Sequence, residues 1–212
     1  MASKMNEAME STRKPGRPRS EEAHQALLEA TARLMEAMPI RNITIAGIAK
    51  EAGVGKPTIY RWWDSKCAIV MDAFLATAAP QIPFPKSGSA VDALTLQVKR
   101  VIKLLRGRSG RIAAEMVGEG QSDPHILEEF RDRFFSRLLA PARAVIERGK
   151  DSGELDKDLD TDLALDLIYG PIYYRLLVGH QPLDERFAKA LPKRVVAALM
   201  AAGSSGPKRT NA

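Results

Sequence analysis

A chain of 212 residues with 45% hydrophobic and 27% charged side chains has the balance of a folded globular protein, which excludes a disordered or membrane-embedded chain and leaves room for one large domain or two small ones. Its net charge of +6 suits a polyanionic partner and equally suits plain solubility, so the placement of the charges has to decide. The single cysteine, Cys67, excludes an intrachain disulfide, and the N-terminal segment lacks the apolar core of a secretory signal, so a reducing cytoplasm is expected.

Residues 1–19 are polar, end in a basic cluster and read as a flexible arm. Helical periodicity starts at Ser20, an N-cap followed by Glu21 and Glu22, with Ala23, Leu27, Ala30 and Leu34 on one face and Pro39 as the stop. A short second helix follows, capped by Thr44, with Ile45, Ile48 and Ala52 on one face and Gly53 as terminator. A third short helix has Pro57 in its first turn, and Asp64 or Ser65 caps a fourth that runs through "KCAIVMDAFLATAA". "PQIPFPKSGS" reads as a boundary, dividing the chain into units over 20–82 and 83–203, with a disordered tail at 204–212.

Beyond that boundary Val91, Leu94, Val98, Val101 and Leu105 keep one helical face, and Leu127, Phe130, Phe134, Leu138 and Val145 another. The connector "RGKDSGELDKDLDTD" precedes a helix from about Thr161 to Val178, and Pro182 starts the last one. "LALDLIYGPIYYRLLVG" is interrupted by Asp166 and Arg175 and is too short for a membrane span. Nothing alternates like a strand and no solenoid period recurs. The expected fold is therefore all-α, about nine helices: a three-helix N-terminal unit joined by a fourth helix to a C-terminal helical bundle.

"AGVGKPTIYRWWDSK" (52–66) has Gly, Lys and Thr in nearly the order of a nucleotide-binding loop. That loop needs Gly, four residues, then Gly-Lys-Ser/Thr. Here the first position is Lys50 and the last is Pro57, which lacks an N–H, and a helix precedes where the motif needs a strand. Residues 45–62 fit a helix-turn-helix instead. Ala49 is small where two helices cross, Gly53 supplies a turn with positive φ, and Ile48, Ala52, Val54, Ile59 and Trp62 are spaced to lock the pair. A plain helical hairpin would account for these apolar positions equally well. It would not account for Lys56, Thr58, Tyr60, Arg61 and Lys66, donors clustered where a helix entering a major groove meets phosphates and base edges.

On these residues, "ITIAGIAKEAGVGKPTIYRWWDSKCAIV" resembles the DNA-binding region of the TetR/AcrR family of bacterial transcriptional regulators. The resemblance covers Ser20 to about Ala79 by motif and the remainder by length and helix order. It implies a homodimer whose N-terminal units read two half-sites of a double-stranded DNA operator, while the C-terminal units dimerise and hold a small effector. Thr44 matches the family's phosphate-contacting hydroxyl. Gly55, Lys56, Pro57 and Thr58 match its base-facing first turn, and Tyr60, Trp62 and Lys66 its backbone clamps. Two departures stand out: Pro57 occupies a place often filled by Gly or Ala, and Trp62 replaces a commoner His.

"RKPGRPRS" carries Arg13, Lys14, Arg17 and Arg19 around a Gly-Arg-Pro core, which resembles an AT-hook suited to a narrow minor groove and is also readable as a solvated charge run. If the arm dominated, the chain would be a constitutive AT-rich architectural binder instead of a repressor. "DKDLDTD" imitates a calcium loop, but Thr161 and Leu167 stand where the turn glycine and bidentate Glu belong, so Asp160 or Thr161 reads as the cap of the next helix, with Asp162 stabilised by its dipole. His24, His125 and His180 lie far apart, and no nucleophile elbow occurs, so no metal, cofactor or enzyme activity is expected. Dimerisation is expected through the last two helices, where the apolar run and Gly170 allow close approach. An effector pocket for an apolar or aromatic molecule is expected among Leu105, Met116, Phe130, Phe134 and Tyr173, residues that could equally be core.

Overall fold

The computed structural model describes residues 17–85 and 88–200, and every regular element within them is helical. α1 spans Arg17–Ala37, three residues earlier than the sequence suggested. Pro18 sits in its first turn, where a missing N–H costs nothing, so Ser20 lies inside the helix and is not its cap. Arg13 and Lys14 of the expected arm, and the 204–212 tail, lie outside the described residues.

After a 3₁₀ turn at Ile40–Asn42, α2 (Ile45–Ala52) starts at Thr44, whose Oγ1 accepts the Gly47 N–H at 3.0 Å, and ends at Gly53 with φ 68°. That left-handed conformation is the one glycine adopts without a Cβ clash. α3 (Lys56–Tyr60) and α4 (Lys66–Ala78) follow, the latter capped by Ser65, which accepts the Ala68 N–H at 3.1 Å. Leu27, Ile48, Ile59, Ile69 and Phe74 are fully buried and join α1 to α4. α4 is apolar nearly all round, as a helix enclosed on several sides must be.

A second 3₁₀ turn, Ala79–Gln81, leads through the proline-rich linker to α5 (Ala90–Leu105) and α6 (Arg108–Gly120). α6 turns sharply back on α5: a Cβ at Gly110 would lie 1.9 Å from the Leu105 carbonyl oxygen, so only glycine fits. α6 also fastens the bundle to the N-terminal unit. Arg108 pairs with Glu36 at 2.9 Å, Glu115 accepts the Ile40 N–H at 2.8 Å, and Arg111 donates to the Met35 carbonyl at 2.5 Å.

α7 (Pro124–Glu129), a π-helical turn (Phe130–Phe135) and α8 (Ser136–Asp151) run on as one rod, which brings ten α-helices to nine rods among the described residues. α8 thus takes the first residues of the expected connector. α9 (Thr161–Val178) starts and ends as read, with Asp160 accepting from the Asp162 and Leu163 N–H groups at 2.9 and 3.0 Å. α10 (Glu185–Leu199) begins three residues later than expected. Asp184 caps it by accepting the Phe187 N–H at 2.8 Å, while the Pro182 carbonyl is held in the connector by Arg175 at 2.8 Å. None of the described helices is long and apolar enough to cross a membrane.

Candidate nucleic-acid interface

α3 has one buried residue, Ile59, which sits at 0% exposure and anchors the helix beside α2. Around it Lys56, Pro57, Tyr60 and Arg61 are exposed, with Gly55 and Thr44 exposed beside them and Thr58 half-buried. Tyr60 stands 57% exposed, an aromatic ring and hydroxyl held out on a helix with no acidic residue. Among the described residues none of Lys50, Lys56, Arg61 and Lys66 enters an ion pair. The Thr44 hydroxyl, occupied as an acceptor by the cap, keeps its O–H to donate. Of the expected site residues from Thr44 to Trp62, Thr58 is half-buried and the others are exposed. Lys66 is turned inward: its ammonium donates to the Ile40 carbonyl at 3.2 Å and keeps its other N–H bonds. Arg17 and Arg19 lie in the first turn of α1, next to this unit in the chain.

Trp62 does not lock the helix pair. It is 44% exposed and meets His24 edge-on at 4.9 Å, whereas Trp63 is the buried indole, 4% exposed and stacked on His24 at 4.7 Å. α3 ends at Tyr60, and the Ile59 carbonyl accepts the N–H of both Trp62 and Trp63 at 2.9 Å, a tight turn that swings the second indole inward. The choice is settled by Asp72 on α4, which accepts the Trp63 Nε1–H at 2.7 Å and satisfies its one polar atom. Arg133 on the π turn donates to the other Asp72 oxygen and to Glu129 at 2.9 Å. A partly buried polar chain therefore joins the bundle, through α4, to Trp63, three residues past the end of α3. Sequence reasoning missed Trp63, Asp72 and Arg133; the doubled Trp was the available signal.

Burial pushes the Cys67 thiol up from its usual value, an effect that adjacent Lys66 opposes. In the C-terminal unit α9 exposes Leu163, Leu167, Tyr174, Leu177 and Val178, between 42% and 60% each, with Gly170 exposed among them. The spacing sets them along one face. The neighbouring exposed face of α10 is basic, with Arg186, Lys189, Lys193 and Arg194.

The five residues expected to line a pocket are all buried. Phe130 and Phe134 stack at 5.2 Å, and Phe135 bridges to Tyr173 at 5.0 Å. Of the five, Phe134 borders a cavity of about 210 Å³ with Leu75 of α4, Ala79 of the second 3₁₀ turn, Ile82 and Phe84 of the linker, Gln97 of α5 and Leu138 of α8. Leu105 instead borders a different cleft, with Arg106, Arg175 and His180. The hydroxyls of Tyr169 and Tyr173 are buried without a partner among the described residues, and burial raises both phenols far above their usual range.

Two family models match this chain: "Bacterial regulatory proteins, tetR family" over residues 27–72 and "Tetracyclin repressor-like, C-terminal domain" over residues 84–195. The HTH-type transcriptional regulator YdeS of Bacillus subtilis strain 168 is 37% identical over 178 residues, which is 84% of this chain and 90% of that one. Among solved structures, the TetR family transcription regulator SCO0332 superposes with a TM-score of 0.73 at 26% identity, covering 85% of this chain and all of its own. FadR of Bacillus subtilis, solved with stearoyl-CoA, shares the fold with a TM-score of 0.67 at 20% identity over 83% of this chain and 99% of its own.

Proposed function

Because this chain belongs to the TetR family of bacterial transcriptional regulators, we propose that it is a homodimeric repressor in the bacterial cytoplasm. It binds a palindromic operator through α3 and leaves it when a small apolar or aromatic effector enters the C-terminal bundle. The observation that carries this reading is the exposed set on α3, where Lys56, Tyr60 and Arg61 surround the buried anchor Ile59 and neither cation enters an ion pair among the described residues. Lys56, Pro57 and Thr58 face base edges from the first turn, while Thr44, Tyr60 and Trp62 hold phosphates. Arg13, Lys14, Arg17 and Arg19 add contacts at the flanks.

The dimer forms through α9 and α10. Five large apolar side chains exposed on one helix face make a patch that a monomer rarely leaves in water, and Gly170 among them lets a partner helix come close. Two such subunits related by a two-fold axis present two recognition helices, which is why the operator is a palindrome. DNase footprinting upstream of the chain's own gene tests the reading: a single protected inverted repeat supports it. Binding that tracks A·T content without a footprint would replace it with an architectural DNA-binding role.

A further inference from the structure

Trp62 lies in the turn after α3, outside any helix, and its indole is 44% exposed. The Ile59 carbonyl accepts its backbone N–H at 2.9 Å, a bond that fixes the main chain and leaves the ring to turn about its own torsions. An indole offers a phosphate a single donor, Nε1–H, so the direction of the ring decides whether the contact is made. Among the described residues that N–H meets no acceptor. The one described ring set against this indole is His24 on α1.

His24 is half-buried and is itself held. It stacks on Trp63 with ring centroids 4.7 Å apart and planes inclined by 21°, and it meets Trp62 edge-on at 4.9 Å and 68°. Aromatic rings favour both arrangements. Trp63 does not follow its neighbours, because it is 4% exposed and Asp72 accepts its Nε1–H at 2.7 Å. The order is therefore a fixed indole, an imidazole laid on it, and an exposed indole set against that imidazole. Arg133 of the bundle also donates to Asp72, so the root of the stack is fastened from both units.

We propose that His24 is a positioning residue for DNA binding, which holds the Trp62 indole in the orientation where its N–H reaches a backbone phosphate. The inference rests on the reading of Trp62 as a phosphate contact and adds a residue of α1 that acts through it. An exposed indole without such a support has to be immobilised when DNA binds. Holding it beforehand spares that ordering entropy, worth about two- to tenfold in affinity per half-site and about 4- to 100-fold for a dimer that engages both. Phosphates are common to all sequences, so the effect is the same on specific and random DNA.

The test uses the full-length protein and a short duplex of random sequence, with affinity read by fluorescence anisotropy at low salt. His24→Ala should weaken binding by about 4- to 100-fold, and His24→Phe, which keeps a ring between the two indoles, should restore it to within about twofold. In a Trp62→Ala background His24→Ala should change nothing further. Trp62 and Trp63 are the two tryptophans of the chain, so isotope-labelled tryptophan gives two indole resonances, assigned with Trp62→Phe. The heteronuclear NOE of the Trp62 indole should match that of Trp63 in wild type and His24→Phe and fall in His24→Ala while Trp63 keeps its value, a change that a general loss of packing would not confine to one ring. His24→Leu takes the place of His24→Ala if circular dichroism shows the latter unfolded. Unchanged affinity in His24→Ala, a loss that persists in the Trp62→Ala background, or a Trp62 ring as rigid without His24 as with it overturns the positioning role and leaves Trp62 a phosphate contact. If Trp62→Ala binds random DNA as tightly as wild type, the phosphate contact and the positioning role fall together.

Discussion

Replacing Asp72 probes the joint between the bundle and the segment that follows α3. Asp72→Ala removes the acceptor of the Trp63 Nε1–H, held at 2.7 Å on a side chain that is 4% exposed. A buried donor left unpaired costs about 1–3 kcal/mol. The ion pair with Arg133 is lost too, but both side chains are more than a quarter exposed, at 27% and 29%, so it adds only about 0.5–1 kcal/mol. The expected loss is about 1.5–4 kcal/mol, which for a chain of this size lowers the melting temperature by about 3–16 °C. Asp72→Asn keeps a carbonyl for the indole and loses only the charge, so it should cost about 1–4 °C. Differential scanning fluorimetry at one fixed protein concentration measures both, since melting of a dimer depends on concentration. In a Trp63→Phe background Asp72→Ala should cost about 1–2 kcal/mol less than in wild type, because no donor remains to be orphaned. Equal losses for Ala and Asn, or a change under 1 °C for Ala, would refute the claim that the indole hydrogen bond anchors this joint.

Other substitutions address the surfaces. Tyr60→Phe should weaken binding to all DNA sequences alike by about 0.5–1.5 kcal/mol, whereas Lys56→Ala should cost about 1–3 kcal/mol at one position of each half-site; equal losses on specific and random DNA would make Lys56 a phosphate contact. Because α1 begins at Arg17, the arm is best tested by deleting residues 1–16, which removes Arg13 and Lys14 and should make the log affinity against log salt slope shallower by up to about 1.8 per arm. An unchanged slope, with no preference for A·T flanks, would leave the arm outside recognition. Leu167→Glu, at the exposed face of α9, should raise the dimer dissociation constant by at least about tenfold in sedimentation velocity, a change of about 1.4 kcal/mol; wild-type dimers would move the interface elsewhere. Burial raises the Cys67 thiol, so less thiolate is present at pH 8 and Ellman's reagent should react more slowly than with free cysteine; a faster reaction would contradict the burial.

Much of the architecture was legible from residues acting within one turn of themselves. Thr44, Ser65 and Asp160 cap helices with their own side chains, and Gly53 ends α2 by its own backbone conformation, so each boundary could be read locally. The start of α1 could not, because Pro18 is as compatible with a first turn as with an extended arm. The exposed donors of α3 were readable for the same reason: periodicity gives a helix its own inner and outer faces. Periodicity does not say what the inner face meets. Whether Trp62 or Trp63 turned inward depended on Asp72, nine residues on, and on Arg133, a further 61 residues along the chain. Phe134 and Gln97 share a cavity while Leu105 borders another because the π turn, the linker and α5 converge at the end of α4. The sequence by itself determined the helices, the helix-turn-helix and the residues it exposes. The tertiary structure alone decided which buried polar atoms found partners, since a hydrogen bond forms between side chains that packing brings within about 3 Å, whatever their separation along the chain.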